Sequence, residues 1–396
     1  MEDNKVIEKV PEGGKDVIIV HHNDMDGYVA ALWAKNYFQQ VVWEENEPMS
    51  KINNIELQIA SYSSANRLHE RLLEKCKNNK NLLIVILDFS FKPEQLEELA
   101  EVIGYQNIIW IDHHVGIINE YRQWDNHELI RGFRITTGIS GAELTYLFFE
   151  NDGLIDGAHF FTQPSFARDE IAINAADMTK TYNMADHEQR DHFLKRFLPA
   201  GLKISGDWDV WRHAENPDVR DAIWLNDWFK VHEKDFFQDS EIDSMLYKIF
   251  FCDDYEMTND EYLEAEEAND LTGALLEGSI IDNYITASDE ALVRHNAFKC
   301  LIKGFEDINA VAVNAPRFSS TVFDIVKDRY EVGVVYIYDG KNDRNVYSFY
   351  RLGQNPEKTI SCYKIAETFG GGGHASAAGC TVDKELEVIR VKHPHD

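Results

Sequence analysis

The stretch Leu83-Ile84-Val85-Ile86-Leu87-Asp88 is a short apolar run, rich in β-branched residues, that ends abruptly in a carboxylate. Two other runs share this form. Val17-Ile18-Ile19-Val20 leads into His21-His22-Asn23-Asp24-Met25-Asp26-Gly27, and Ile108-Ile109-Trp110-Ile111 leads into Asp112-His113-His114. Such runs are typical of buried strands in a parallel sheet. Ligands of open α/β sheets bind beyond the carboxyl ends of the strands, so we expect these charged ends to meet at one edge.

The charged ends would gather acidic and imidazole side chains in one cleft, namely His22, Asp24, Asp26, Asp88, Asp112, His113 and His114. So many carboxylates cannot share a cleft without cations to neutralise them. Alternate residues of an extended chain point to the same side, which places His22, Asp24 and Asp26 on one wall. Carboxylate oxygen and imidazole nitrogen, with no thiolate, suit manganese, magnesium, or zinc and iron in a mixed site. The pattern therefore predicts a site for two divalent ions.

The alternation of strands and helices predicts an α/β fold with two domains. From residue 16 to about 214, helices are expected over 28–38, 64–77, 93–103 and 141–149, with Ser140 as an N-cap, and the strands between them form a parallel sheet. Residues 215–300 are acidic and aromatic and predict a helical connector, with one long helix over 257–283 that Gly273 could interrupt. Its aromatic residues could stack bases or, as is more usual, lie in the core; they are Trp224, Trp228, Phe229, Phe236 and Phe237.

Strands return from about residue 301, at 310–313, 333–338, 345–350 and 386–391, and predict a smaller mixed α/β domain over 301–396. We expect the active site to lie in the cleft between the two domains. This second domain contains the run Gly370-Gly371-Gly372-Gly373-His374, followed by Ala377-Ala378-Gly379, whose small side chains would let a helix pack tightly. Four glycines could bring backbone N–H groups close to a phosphate, and His374 adds a donor; a flexible linker is the alternative.

The net charge of the chain limits the length of the substrate that we expect it to bind. The 396 residues contain 39 Lys and Arg against 69 Asp and Glu, which gives a formal net charge of −30. Proteins that grip long duplex DNA normally carry a basic surface, and the field of this chain would repel a long polyanion. We therefore expect a short substrate that the metals and a few basic groups hold locally.

The cysteines and the termini indicate the cell compartment. Five scattered cysteines with no C-x-x-C spacing favour reduced thiols, and they are Cys76, Cys252, Cys300, Cys362 and Cys380. The N-terminal residues are polar and show no signal segment, and no apolar run is long enough to span a membrane. These features predict a cytoplasmic protein without a membrane partner.

The motifs together resemble the DHH phosphoesterase family, whose name comes from the sequence that stands here as Asp112-His113-His114. The first motif, residues 22–27, and Asp88 follow the family's order. A fourth motif is expected to supply one more aspartate after another strand. Its best match is residues 204–211, where Asp209 is favoured because a Trp follows two residues later; Asp207 is the alternative and Asp177 a weaker one. The glycine run is similar to the GGGH-x-x-AAG motif of the DHH-associated C-terminal domain, so the resemblance covers nearly the whole chain.

The resemblance implies roles for these residues. Asp88 would bridge two metals, of which one is held by His22, Asp24 and Asp88 and the other by Asp26, Asp88, His113 and Asp209. His114 would touch the phosphate or orient a ligand, and Asp112 would orient a histidine ring. Gly371, Gly372, Gly373, His374 and Arg351 would bind a substrate phosphate. The family's Ser-Leu-Arg-Ser-like strand stands here as Tyr347-Ser348-Phe349-Tyr350-Arg351, which shifts the arginine. The segment before Gly141 would lie near the active site.

Within that family the chain is most similar to the oligoribonucleases of the nanoRNase B type, because RecJ-like exonucleases usually carry more acidic residues in the first motif. The resemblance implies a phosphodiesterase that uses two divalent ions, foremost Mn²⁺ with Mg²⁺ as an alternative, and hydrolyses short single-stranded oligonucleotides to mononucleotides. A phosphodiesterase for cyclic or linear dinucleotides, a pyrophosphate or polyphosphate hydrolase, and a non-catalytic binding scaffold are the other interpretations. Family members often pair, so a homodimer is also expected.

Overall fold

In the computed structural model, the residues described are 15–40, 52–62, 64–121, 124, 126, 129–136, 138–152, 186–215, 220–252, 271–316, 320–352, 360–373 and 375–391. The contacts between Cα atoms divide the chain into two compact units, residues 1–279 and 280–396. The first unit holds a parallel sheet followed by helices, and the second holds a mixed sheet. The predicted α/β fold class is therefore confirmed in both units.

The sheet of the first unit has four parallel strands in the order β2-β1-β3-β4. Its strands are β1 (Lys15–His22), β2 (Ile52–Ala60), β3 (Leu82–Leu87) and β4 (Ile108–Ile111). The helices between and after them are α1 (Met25–Gln40), α2 (Ala65–Asn78), α3 (Pro93–Ile103), α4 (Val115–Tyr121) and α5 (Gly141–Asp152). The three apolar runs form β1, β3 and β4 as predicted. The edge strand β2 was missed; its sequence mixes apolar and polar residues, and most of its side chains are half-buried.

The strand order positions the site. Strand β1 pairs with β2 on one side and with β3 on the other, so the chain changes direction across the sheet between β1 and β3. Ligands of doubly wound sheets bind beyond the carboxyl ends of the strands at such a point. His22 ends β1, and Asp88 follows β3 directly.

The core of the first unit lies on both faces of this sheet, because successive side chains of a strand point to opposite faces. Val17 and Ile19 pack with helices α1 and α5, whereas Ile18 and Val20 pack with α2 and α3. Trp228, Phe229 and Phe236 are also buried in the first of these clusters. For these three aromatic residues the structure therefore shows a packing role, and not the exposed surface that base stacking needs.

Further helices follow in the first unit: α6 (His187–Phe197), α7 (Ala200–Asp209), α8 (Asp221–His232) and α9 (Ser240–Phe251). Two predictions in this part of the chain were wrong. Asp209 is the last residue of a helix and does not follow a strand. The long helix α10 runs over Leu271–Asn296 without a break at Gly273, although it was expected to end at 283; residues 257–270 lie outside the described part.

The second unit has a seven-stranded sheet in the order β11-β5-β6-β7-β8-β10-β9. Its elements are β5 (Phe298–Ile302), β6 (Phe305–Asn314), β7 (Val332–Asp339), β8 (Arg344–Arg351), α11 (Cys362–Thr368), β9 (Gly372–Gly373), β10 (Ala377–Asp383) and β11 (Ile389–Val391). Ala378 packs in one cluster with Ile365 and Ala366 of α11, which agrees with the expected close packing of small residues against a helix.

The glycine run closes helix α11. Gly370 has a φ of +77°, its N–H donates to the carbonyl of Glu367, and the N–H of Gly371 donates to that of Ala366. This pair of bonds is a Schellman cap, for which a left-handed glycine is the usual residue. A Cβ on Gly371 would lie 2.1 Å from the carbonyl oxygen of Gly379, so the close approach of β10 also requires glycine there.

No helix of the described residues is both long and apolar enough to cross a bilayer. All five cysteines carry free thiols, and four of them are buried.

Candidate metal centre

Asp24 links the end of β1 to the start of α1. Its Oδ1 accepts a hydrogen bond of 3.0 Å from the N–H of Gly27, which makes Asp24 the N-cap of the helix. Its Oδ2 lies 2.6 Å from Nδ1 of His22. Burial disfavours the charged form of Asp24, but the charge and hydrogen bond of His22 outweigh burial and hold the pKa of Asp24 below its ordinary value. A Cβ on Gly27 would lie 2.4 Å from the carbonyl oxygen of His22, so this tight turn requires the glycine of the motif.

Asp26 projects from the first turn of α1 into the protein and is only 1% exposed. Its Oδ2 accepts a hydrogen bond of 3.1 Å from the N–H of Ala142, at the start of α5. Gly141 lies between the two carboxylates, since a Cβ there would be 2.7 Å from Cβ of Asp88 and 2.9 Å from Oδ2 of Asp26. The N-terminus of α5 therefore lies against the site.

Asp88 is at the centre of the cluster and is fully buried. It has a φ of +52°, a left-handed conformation that aspartate tolerates better than most residues, and its N–H donates to the carbonyl of Ile111. Its Oδ1 lies 3.2 Å from Nε2 of His113, and its Oδ2 lies 3.8 Å from Nδ1 of His22. Neither oxygen accepts a hydrogen bond from any residue that the structure describes.

Asp112 differs from Asp88 because both of its oxygens are hydrogen-bonded. Oδ2 accepts from the Ser90 hydroxyl, and Oδ1 accepts from the backbone N–H of His113 at 2.7 Å and of His114 at 3.1 Å. Nδ1 of His114 is 2.8 Å from the same Oδ1. Asp112 therefore orients the two histidines, and it has little capacity left for a metal.

Asp209 completes the cluster from the end of α7. Its Oδ2 lies 3.2 Å from Nε2 of His113, and it accepts no hydrogen bond within the described residues. Three overlapping sets of side chains have potential ligand atoms within 4.8 Å of one another: Asp88, His113 and His114; His22, Asp24 and Asp88; and Asp26, His113 and Asp209. Asp88 and His113 each belong to two sets. The structure thus brings together all six residues that the sequence assigned to the metals.

Burial and mutual repulsion raise the pKa of three of these carboxyl groups when no cation is bound. Burial and the charge of Asp209 raise the pKa of Asp26 to about 8. Burial and the charge of Asp24 raise the pKa of Asp209 to about 7. The pKa of Asp88 is raised well above its ordinary value by burial and then by Asp24 and Asp26. A divalent cation would displace these protons, because it supplies the missing opposite charge.

The two histidines of the DHH motif have opposite pKa shifts. Burial and the neighbouring His114 lower the pKa of His113 to about 4, so His113 is neutral and able to ligate a metal. Burial also disfavours the charged form of His114, but the charge and hydrogen bond of Asp112 outweigh it and raise the pKa of His114 to about 9. At neutral pH His114 is therefore a fixed cation beside the carboxylates.

Asp207, the alternative to Asp209, lies outside the cluster. Its Oδ2 accepts from Nζ of Lys203 and its Oδ1 from Nε of Arg212, each at 2.6 Å. The guanidinium of Arg212 also donates to Glu143, which is fully buried, and to the carbonyl of Gly138. This Arg212 cluster, formed by Lys203, Asp207, Arg212, Glu143 and Gly138, ties the end of α7 to the start of α5.

Glu143 also closes the N-terminus of α5. The Ser140 hydroxyl accepts from the N–H of Glu143 at 3.3 Å, and Glu143 accepts from the N–H of Ser140 at 2.8 Å. This reciprocal pair is a capping box. The sequence indicated that Ser140 caps the helix. It did not indicate that the packing of the site requires glycine at position 141, or that Glu143 pairs with Arg212. The S-x-x-E spacing was the available signal for Glu143.

The residues assigned to a substrate phosphate belong to the second unit. Arg351 ends β8 with an exposed side chain, and its N–H donates to the carbonyl of Ser376. Gly372 and Gly373 form β9, which pairs with β10. The N–H of Gly371 is engaged by the helix cap. His374 and Asp177 lie outside the described residues. The phosphate-binding role stays a prediction.

No family model matches this chain, and no curated protein matches it. Several solved structures do. An uncharacterized protein from Helicobacter pylori G27 has 15% identity and a TM-score of 0.36, with 94% of each chain covered. A pGpG-specific phosphodiesterase from Vibrio cholerae has 14% identity and a TM-score of 0.40, also with 94% of each chain covered. RecJ from Thermus thermophilus, in complex with Mn²⁺, has 15% identity and a TM-score of 0.42, covering 94% of this chain and 50% of RecJ. At these TM-scores the likenesses carry no inference about this chain.

Proposed function

We propose that this protein is a metal-dependent phosphodiesterase of the DHH type that hydrolyses short oligonucleotides. The observation that supports this most directly is the buried carboxylate of Asp88, which has no hydrogen-bond donor among the described residues and lies between two sets of potential ligands. A buried carboxylate without a donor is costly unless a cation binds it. Asp26 Oδ1 and Asp209 Oδ2 are in the same condition.

The donor set fits two hard or borderline divalent ions. His22, Asp24 and Asp88 would hold one ion, and Asp26, Asp88, His113 and Asp209 would hold the other. These residues offer oxygen and imidazole nitrogen only, which suits Mn²⁺ or Mg²⁺ and also permits zinc or iron. Divalent ions at such a site lower the pKa of water and offset charge on phosphoryl oxygens.

Residues around the metal ligands would orient the ligands and the substrate phosphate. Asp112 holds the His114 ring through Oδ1 and keeps it protonated, so His114 offers a cationic donor to a phosphate oxygen. The Ser90 hydroxyl fixes the other oxygen of Asp112, and the indole N–H of Trp110 donates to that hydroxyl at 2.9 Å. Such outer partners set the direction of a ligand and are commonly worth about 10–100-fold in metal affinity or activity.

The substrate class follows from charge. A net charge of −30 opposes binding of a long polyanion, so local contacts at the metals must supply most of the attraction. Dinucleotides and other short chains carry few phosphates and meet the least repulsion. We expect chains of two to five nucleotides to be cleaved faster than long ones.

The test is a Mn²⁺-dependent time course on 5′-labelled RNA of two, five and twenty-four nucleotides, beside cyclic dinucleotides and pyrophosphate. Release of mononucleotides from the shortest chains, with the longest chain slow, is the expected result. Preference for a cyclic dinucleotide would move the proposal to signalling phosphodiesterases, and preference for pyrophosphate would move it to phosphoanhydrides. Metal binding without cleavage of any substrate would contradict an enzymatic role.

A further inference from the structure

One aromatic residue, Tyr62, lies beside the candidate metal centre and is not among its potential ligands. Tyr62 lies two residues beyond the end of the edge strand β2, whose last residue, Ala60, pairs in register with His22. Because the strands are parallel, Tyr62 belongs to the same edge of the sheet as the metal-binding side chains. Its residue is 44% exposed, whereas Phe89, which it contacts, is fully buried.

The Tyr62 ring packs against three other rings. Its centroid lies 5.0 Å from that of Phe89, with the two planes 34° apart, and Phe89 in turn stacks on His22 at 6.4 Å and 23°. The Tyr62 centroid is also 5.8 Å from the His22 ring and 6.0 Å from the His114 ring. Packing against three rings therefore holds the phenol ring in place, while the residue as a whole stays partly exposed.

We propose that Tyr62 is a stacking platform for a nucleobase of the substrate, next to the phosphate that is cleaved. This inference rests on the proposed function, because it takes the phosphate to be bound at the ligands His22 and Asp88 and beside His114. In a nucleotide only the sugar separates phosphate and base, so a base attached to that phosphate would reach the neighbouring surface. Tyr62 presents there an aromatic face, and stacking on such a face tolerates every base.

At this position Tyr62 would favour substrates that carry a base over substrates that carry none. A substrate without bases, such as pyrophosphate, gains nothing from an exposed aromatic ring, whereas an oligonucleotide gains one stacking contact. Alanine substitution of comparable stacking residues costs about 1–3 kcal/mol per base, which corresponds to about a 5- to 150-fold change in affinity. Tyr62 is thus proposed to raise specificity for nucleotides over simple phosphate esters.

The experiment compares wild type, Tyr62→Phe and Tyr62→Leu. Each is assayed with Mn²⁺ on a 5′-phosphorylated diadenosine dinucleotide and on two analogues in which one or the other base is replaced by hydrogen. We expect Tyr62→Leu to raise KM for the intact dinucleotide about 5- to 150-fold and Tyr62→Phe to stay within about twofold of wild type. For the analogue that lacks the stacked base, wild type and Tyr62→Leu should have the same KM.

Two outcomes overturn the inference alone: an unchanged KM of Tyr62→Leu on the intact dinucleotide, or an equal loss on all three substrates, which would indicate damage to the neighbouring histidines. Mn²⁺ binding of the variants, measured by calorimetry, shows whether an equal loss comes from damage to the metal ligands. A wild-type protein that cleaves no phosphodiester would overturn the proposed function, and the inference with it.

Discussion

The first unit contains two clusters of acids, each with a fully buried carboxylate, and they differ in the partners of that carboxylate. In the Arg212 cluster, Glu143 and Asp207 both accept hydrogen bonds from the guanidinium of Arg212, and Asp207 also accepts one from Lys203. In the candidate metal centre, Asp88 is as deeply buried as Glu143, but neither of its oxygens accepts a hydrogen bond from the described residues. Asp207 and Asp209 are only two positions apart and belong to different clusters.

The difference shows what distinguishes a structural acid from a candidate ligand. A buried ion pair must satisfy both charges within the protein, and Arg212 does so for Asp207 and Glu143. Asp26, Asp88 and Asp209 have no paired guanidinium among the described residues, and burial together with the neighbouring acids raises their pKa values. Burial of an acid alone therefore does not indicate a metal site, whereas burial without a donor does.

The largest difference between the clusters is expected when Asp209→Asn is compared with Asp207→Asn. Asp209→Asn should lower kcat/KM by more than about 100-fold, beyond the usual cost of losing an outer partner, because it removes a ligand. Asp207→Asn should leave the metals in place and lower the free energy of unfolding by about 1–3 kcal/mol, since Arg212 loses a charged acceptor. Steady-state kinetics and urea unfolding measure the two effects.

The two variants serve as each other's control, because both replace a carboxylate by an amide near the end of α7. The reverse pattern, with Asp207→Asn inactive and Asp209→Asn merely less stable, would exchange their roles and refute the assignment.

A smaller effect is expected from Asp112→Asn. This change keeps the shape of the side chain but removes the charge that orients and protonates His114. We expect activity to fall about 10- to 100-fold with Mn²⁺ still bound. The basic limb of the pH profile should move to lower pH, because without Asp112 the pKa of His114 falls. An unchanged pH profile would contradict the role given to His114.

The smallest effect concerns how the free energy of unfolding of the metal-free protein depends on pH. The pKa values of Asp26, Asp209 and His114 are raised to about 8, 7 and 9 by their surroundings. The folded chain therefore holds protons that the unfolded chain releases at lower pH, so stability must fall as pH rises from about 6.5 to about 9. His113 and His21, with pKa values lowered to about 4, are neutral in the folded chain across this window, and in the unfolded chain they lose their protons near its lower end, at about pH 6.5, so they oppose the fall only there.

Thermal unfolding in EDTA and in Mn²⁺ measures this dependence. We expect the midpoint to fall by several degrees over that range in EDTA, and the fall to be reduced or reversed in Mn²⁺, because the ions replace the protons. A midpoint independent of pH in EDTA would be inconsistent with carboxylates that lack donors.

Much of this arrangement could be predicted from the sequence, because it depends on local patterns. The strand ends at His22, Asp88 and Asp112 follow from short apolar runs that terminate in charge. Asp209 was reached only through the family resemblance, and the strand expected before it is a helix, since the pattern around it does not separate the two.

What the sequence could not predict depends on contacts across long separations. Glu143 and Arg212 are 69 residues apart, and no periodicity links them. Tyr62 follows the edge strand β2, which was not predicted, so its position beside His22 became visible only with the register of β2 on β1. The four glycines were interpreted as a phosphate nest, whereas two of their N–H groups cap α11.

The central claim is that Asp88 joins two metal ions in one buried centre. Its most direct test is the number of Mn²⁺ ions bound per chain, measured by calorimetry and elemental analysis, for wild type, Asp88→Asn and the control Asp207→Asn. The account predicts two ions for wild type and for Asp207→Asn, and loss of both tight sites in Asp88→Asn with its fold retained by circular dichroism. A wild-type chain that binds no divalent ion, or an Asp88→Asn chain that binds as wild type does, would contradict it.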